Sequence, residues 1–264
     1  MLNRFKYEKE GAVKITTLLS VPLILISLGL AVKAEATTTQ SYDSQGIVGF
    51  STGGGTQPPV DPNIPDPTLP VTPQNPDGSK PNPGGDGPLT IDFASSFDFG
   101  THDISNQDQT YASKAQRYFD SGDLTSNYVQ VTDRRGTFWG WELKVKEVAQ
   151  FTQIATGPQK YRELKGAAIA FNNPVSASLN DQYAPKSQMI QSLIPGVETQ
   201  IALAETGEGA GTWVIRWGSQ ENLTQEGLSP DVTLFVPGTT PKDATAYRTT
   251  LNWILSDLPK NTPA

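Results

Sequence analysis

Six stretches of this chain place apolar residues at every second position, and that period constrains the fold more than any other property of the sequence. The runs are Leu89, Ile91 and Phe93; Trp139, Trp141, Leu143 and Val145; Ala167, Ile169 and Phe171; Trp213, Ile215 and Trp217; Val232, Leu234 and Val236; and Leu251, Trp253 and Leu255. Side chains two apart on an extended chain share a face, so each run reads as a half-buried antiparallel strand. Turn residues separate the runs, among them Gly157-Pro158, Asn172-Asn173-Pro174, Pro195-Gly196 and Pro237-Gly238. Over residues 89–264 the pattern predicts an all-β, β-sandwich-like antiparallel domain with little helix. The best helical stretches are a turn or two at 188–193 and at 159–164.

A different chemistry precedes this domain. Eleven of the 21 prolines fall between Pro58 and Pro88, alternating with Asp, Asn, Thr and Gly. Proline fixes φ and removes a backbone donor, so residues 57–88 are expected to stay out of any sheet, as a disordered, hydrated Pro-rich linker. Fully extended at about 3.1 Å per residue, it would reach roughly 100 Å. Either it is an extended functional spacer, or it is a tolerated linker of biased composition. Residues 35–56 form a short leader in which the strand-like run Ile47 to Phe50 is expected to dock on the domain, since a lone strand cannot bury its apolar residues; the alternative is a free leader.

The first residues are basic (Arg4, Lys6, Lys9, Lys14), and an apolar run from Ile15 to Leu30 follows, with small residues at Ala31, Ala34 and Ala36. That order reads as a signal peptide over residues 1–34; a retained transmembrane anchor is the other reading. Pro22, Ser20, Ser27 and Gly29 weaken such an anchor helix. No second run is long enough to span a bilayer, so no membrane span is expected after cleavage. The ending Leu258-Pro259-Lys260-Asn261-Thr262-Pro263-Ala264 carries no sortase signal, so any surface attachment is expected to be non-covalent.

Cysteine is absent, so disulfides and Cys-based metal sites are excluded. Losing residues 1–34 removes a net charge of +3 and takes the formal charge from −7 to −10. So acidic a chain is a poor partner for nucleic acid and for anionic wall polymers. The only histidine, His102 beside Asp103, has no Gly-x-Ser-x-Gly nucleophile to serve, and reads as a surface residue. Two carboxylates could make a glycosidase, and Glu142 and Asp257 are the pair to consider. Lys144 and Lys146 share Glu142's face, however, which reads instead as a solvated charge ladder. Asp103, Asp108, Asp120 and Asp123 lack calcium-loop spacing, and the Gly207–Gly211 run lacks the lysine of a phosphate loop. No catalytic residue, metal or cofactor is expected, and the chain does not read as an enzyme.

What remains is aromatic. Two triplets, Trp141-Glu142-Leu143 and Trp253-Ile254-Leu255, each put an indole and an isobutyl group on one strand face, which reads as core. Asp133-Arg134-Arg135-Gly136 stands just upstream of the first triplet, and Tyr247 to Leu251 lead into the second. Trp139 and Trp213 have less certain facing and are candidate ligand contacts. Arg134 and Arg135 could bond a carboxylate of a wall peptide or satisfy turn carbonyls.

In these motifs and their order the chain resembles the WxL domain family of Gram-positive cell-surface proteins. The resemblance covers the region after the proline-rich stretch, with Leu258 before Pro259 where the family usually has a small residue. It implies an exported protein, in the cell wall or at the cell surface, that binds peptidoglycan non-covalently. It also implies an alternative, a structural subunit of a surface complex whose main ligand is a membrane-anchored WxL-interacting protein. A glycan-active enzyme is the weaker alternative.

Overall fold

In a computed structural model, which describes residues 40–154 and 160–258, the chain is nearly all β. The strands, in chain order, begin with β1 (Pro73–Gln74), β2 (Leu89–Ala94), β3 (Gln109–Lys114), β4 (Arg117–Tyr118) and β5 (Tyr128–Asp133). They continue with β6 (Trp141–Glu147), β7 (Thr152–Gln153), β8 (Ala168–Phe171), β9 (Pro174–Ala177) and β10 (Lys186–Ser187). Last come β11 (Glu198–Ala204), β12 (Gly211–Trp217), β13 (Leu228–Val236), β14 (Tyr247–Arg248) and β15 (Leu251–Asp257). The only helical turns among the described residues are 3-10 turns at Asp181–Tyr183 and Gln220–Asn222. No described helix is long and apolar enough to cross a membrane. The proposed signal segment, residues 1–34, lies outside the described residues.

Contacts divide the chain into two units, Met1–Val48 and Gly49–Ala264. In the first, the described residues 40–48 form no regular structure, and Ile47 and Val48 are exposed. Phe50, at the start of the second unit, is exposed too. No strand forms over residues 47–50. Glycines at Gly46 and Gly49 flank only two apolar residues, too few to repay the ordering of the backbone.

Within the second unit, three antiparallel sheets enclose one core. One sheet has the order β10-β11-β6-β15, a second β2-β5-β12-β9, and a third β3-β13-β8. Every alternating run found in the sequence contributes a strand to one of them, with Trp139 and Ala167 just outside β6 and β8. The core is built from their inward positions: Val129 and Val131 of β5, Trp141, Leu143 and Val145 of β6, Ile169 and Phe171 of β8, Ile215 and Trp217 of β12, and Val232 and Leu234 of β13. The helical expectations fail for a related reason. Ile190 bridges Phe171 and Gln188 donates to Ile201 O, while Glu163 bridges Thr152, so both stretches are drawn out to sheet edges. Sheet partners outweigh weak local propensity.

The proline-rich stretch is also different from its expectation. β1 pairs with β4, Val60 bridges Pro70, and Pro62, Pro65 and Pro73 are buried. This segment covers the outer face of the β2-β5-β12-β9 sheet, where Val60, Phe93, Tyr118, Tyr128 and Val214 make a second apolar cluster. Gln130 joins the two: its amide donates to Pro58 O at 3.1 Å and to Asp92 at 2.9 Å, and its carbonyl accepts from the Val60 N–H at 2.8 Å. Burial pushes the Asp92 carboxyl up, against hydrogen bonds from Thr132, Thr90 and Gln130 that pull it down. Proline lacks a donor but keeps a carbonyl and an apolar ring, so it can pack and accept where it cannot ladder. Residues 57–74 are thus part of the domain's second layer, and β5 is buried on both faces because of them.

Candidate functional site

The two Trp-x-Leu triplets come together. β6 and β15 are antiparallel neighbours, with Leu143 opposite Leu255, Trp141 opposite Asp257 and Trp253 opposite Val145. Residues directly opposite share a face, so both triplets point into the same core. Trp141 and Leu143 are fully buried, and the Trp141 indole N–H donates to Gly209 O at 2.9 Å. Trp253 and Leu255 are only half-buried. Trp253 leans on Trp217, 5.9 Å between centroids, and on Phe171, in an aromatic cluster that Phe97 completes. The same register separates the carboxylates. Asp257 lies on the Trp141 face and Glu142 on the other, where it pairs with Lys144 at 2.8 Å and accepts from Gln200 at 2.7 Å. The bond from Lys144 holds the Glu142 carboxyl below its ordinary range. The two acids do not form a catalytic pair.

The arginines are spent on the fold. Arg135 clasps Asp133 with two bonds, 3.0 and 2.7 Å, and also donates to Gly140 O at 2.7 Å. This pair is almost wholly buried. Arg134 donates through Nη2 to Gly55 O and Gly87 O, and its carbonyl accepts from Gly53 N–H. Both therefore satisfy backbone carbonyls, while Arg134 Nε and Arg135 Nη1 are buried without a partner. Trp213 also departs from the expected contact role. It is 1% exposed, with its indole N–H donated to Ala210 O. Strand alternation leaves the facing of its indole open in a sheet covered on both sides, and here the ring falls on the core side.

Trp139 is the candidate that stays at the surface. It sits in the loop between β5 and β6 beside Phe138; they are 36% and 53% exposed. The loop is rigid for reasons the sequence carries. Gly140, at φ 85°, lies so close to the β11 strand end that a Cβ would fall 2.1 Å from Ala204 O. Phe138, not a glycine, holds φ 55°. A bulky residue in this region is strained, and core packing gives no reason for it because the ring faces out. Phe138 O accepts from Gly207 N–H, and Gly209 N–H donates to Tyr183 O, linking this loop to two others at the same end of the sheets. Tyr183 is also exposed. Three surface aromatics thus sit on hydrogen-bonded loops anchored by the buried Trp141. Sequence reading singled out neither Phe138 nor Tyr183. The available signal was Thr137-Phe138-Trp139, three residues held between Gly136 and Gly140.

His102 is exposed, as expected, and stacks on Tyr111 with 3.9 Å between centroids.

The model of a family described as "WxL domain surface cell wall-binding" matches residues 37–259. The match takes in the proline-rich stretch, in keeping with its packing against the sheet. No curated protein and no solved structure matches the chain.

Proposed function

Because this chain belongs to the WxL family of surface, cell wall-binding domains, we propose that it attaches non-covalently to the peptidoglycan of a Gram-positive wall, through the loop end that carries Phe138, Trp139 and Tyr183. Residues 1–34 direct its export and are removed. The observation that carries the site is the strained, outward-facing Phe138 beside Trp139. Rigid aromatic faces offer large contact area to a sugar ring or an apolar peptide at small entropic cost. The protein's excess negative charge fits a short-range contact of this kind better than capture of an anionic polymer.

Co-sedimentation with protein-free sacculi tests this. Phe138→Gly should keep or raise stability, because glycine accepts the positive φ without strain, and should weaken sacculus binding by roughly 10-fold, the effect of losing one aromatic contact of about 1.4 kcal/mol. Trp139→Ala should weaken it by at least as much. Unchanged binding in both variants rules out this surface. Failure of the wild type to sediment, with retention by the ectodomain of a membrane-anchored partner, replaces the wall by a protein as the main ligand.

A further inference from the structure

The far end of the β6–β15 ladder carries a second concavity. Trp139 stands two residues before β6, whereas Tyr161 is tied to β14 and the loop before it: its N–H donates to Asp243 at 2.8 Å, and its carbonyl accepts from Tyr247 Oη at 2.8 Å. β6 spans seven residues, so about 20 Å of strand separates the two ends. At the Tyr161 end lies a cleft of about 880 Å³ whose lining includes His102, Tyr111, Tyr161, Pro241, Gln109 and Lys242.

Its walls are pinned. Lys242 donates to Ser105 O at 2.9 Å, and Gly238 N–H donates to Asp108 at 2.8 Å. A Cβ on Gly238 would fall 2.4 Å from Asn106 O, so the two loops are held backbone against backbone. A cleft of this size can admit a small molecule, and it is open to solvent rather than enclosed. Its chemistry is mixed in a particular way. The His102 and Tyr111 rings lie nearly parallel, 13° apart, and with Tyr161 and Pro241 they supply flat apolar faces. Asn106 and Gln109 add carboxamides. The charged lining residues are one Asp103 and one Lys242, and the lysine ammonium is bonded to the wall itself. The lining itself thus carries one charge of each sign, and the Lys160 ammonium lies 5.1 Å from the centroid of the Tyr161 ring.

We propose that this cleft is a second binding site, for an uncharged, N-acetylated hexosamine oligosaccharide. The C–H faces of the sugar rings lie on the aromatic faces, and the acetamido groups pair with the carboxamides of Asn106 and Gln109. That such a sugar comes from the wall rests on the proposed function; the site itself does not. Two weak sites at opposite ends of one rigid domain, on a repetitive polymer, raise overall retention through effective concentration.

The test is titration of the full chain with the N-acetylglucosamine tetramer, followed by amide NMR, beside sacculus sedimentation. The inference expects resonances of 102–111 and 238–242 to shift, whether or not those of 136–140 shift as well, and His102→Ala or Tyr161→Ala to weaken the cleft shifts at least 10-fold. The wild-type shift map decides the matter even where a variant fails to fold. No shift in the cleft, with sedimentation intact, overturns this site and leaves wall binding standing. Cleft shifts without sedimentation support the site and overturn the wall-binding reading.

Discussion

The two Trp-x-Leu triplets are chemically alike and structurally unequal. Trp141 and Leu143 lie on a strand flanked on both sides, by β11 and by β15, and are sealed from solvent. Trp253 and Leu255 lie on β15, at the sheet's edge, and each keeps part of its surface in water. One indole is also hydrogen-bonded into the β11–β12 loop, while the other only leans on neighbouring rings. A shared motif therefore does two jobs. The first triplet fixes the loops that bear Phe138 and Tyr183, and the second closes the edge of the same core.

Truncation should expose this inequality most strongly. Trp141→Ala is expected to cost about 4 kcal/mol, and Trp253→Ala about half that, measured by urea unfolding, because only the first leaves a closed cavity and an unpaired Gly209 carbonyl. Equal losses would erase the distinction. The next effect is electrostatic. The core-facing series of β6 runs Trp141, Leu143, Val145 and then Glu147, whose side chain is fully buried without a well-formed hydrogen bond to its carboxyl. Burial pushes that carboxyl from 4.5 up to about 7, weakly opposed by Thr249. A raised folded pKa means the unfolded chain ionises first. This contribution to stability is full below pH 4.5 and is lost as pH rises to about 7. The loss is about 3 kcal/mol. Glu147→Gln should flatten that fall and raise the denaturation midpoint at neutral pH; an unaltered pH profile would show the carboxyl to be solvated. Smallest of all, Ile254→Thr, on the outward face of β15, should change stability by under about 0.5 kcal/mol. A larger loss would mean that this face is covered.

Most strands that sequence reading found have one wet face; β12, buried on both, showed itself through Trp213, Ile215 and Trp217. β5 escaped it because Tyr128, Gln130 and Thr132 are covered by the proline-rich segment, so an apparently polar position is as buried as Val129 and Val131. β3 escaped it because Gln109 to Lys114 is mostly polar and takes its place from pairing with β13. The proline-rich segment was misjudged by asking only what proline cannot donate. Its packing rests on Val60 and on the carbonyls of Pro58 and Pro59, which accept from Gln130 and Val71. At the candidate site, Trp139 was named among aromatic residues of uncertain facing, while Arg134, Arg135 and Trp213 bond to backbone or carboxylate partners within the fold.

By itself the sequence determined the all-β class, the strand period and the membership that two Trp-x-Leu triplets signal, because these follow from local alternation and order along the chain. Only the tertiary structure decided which triplet is interior and which lies at the edge, where the arginines spend their donors, and that the prolines form a layer. Strand order within a sheet, and what covers its second face, depend on residues many tens of positions apart, to which a two-residue period is blind.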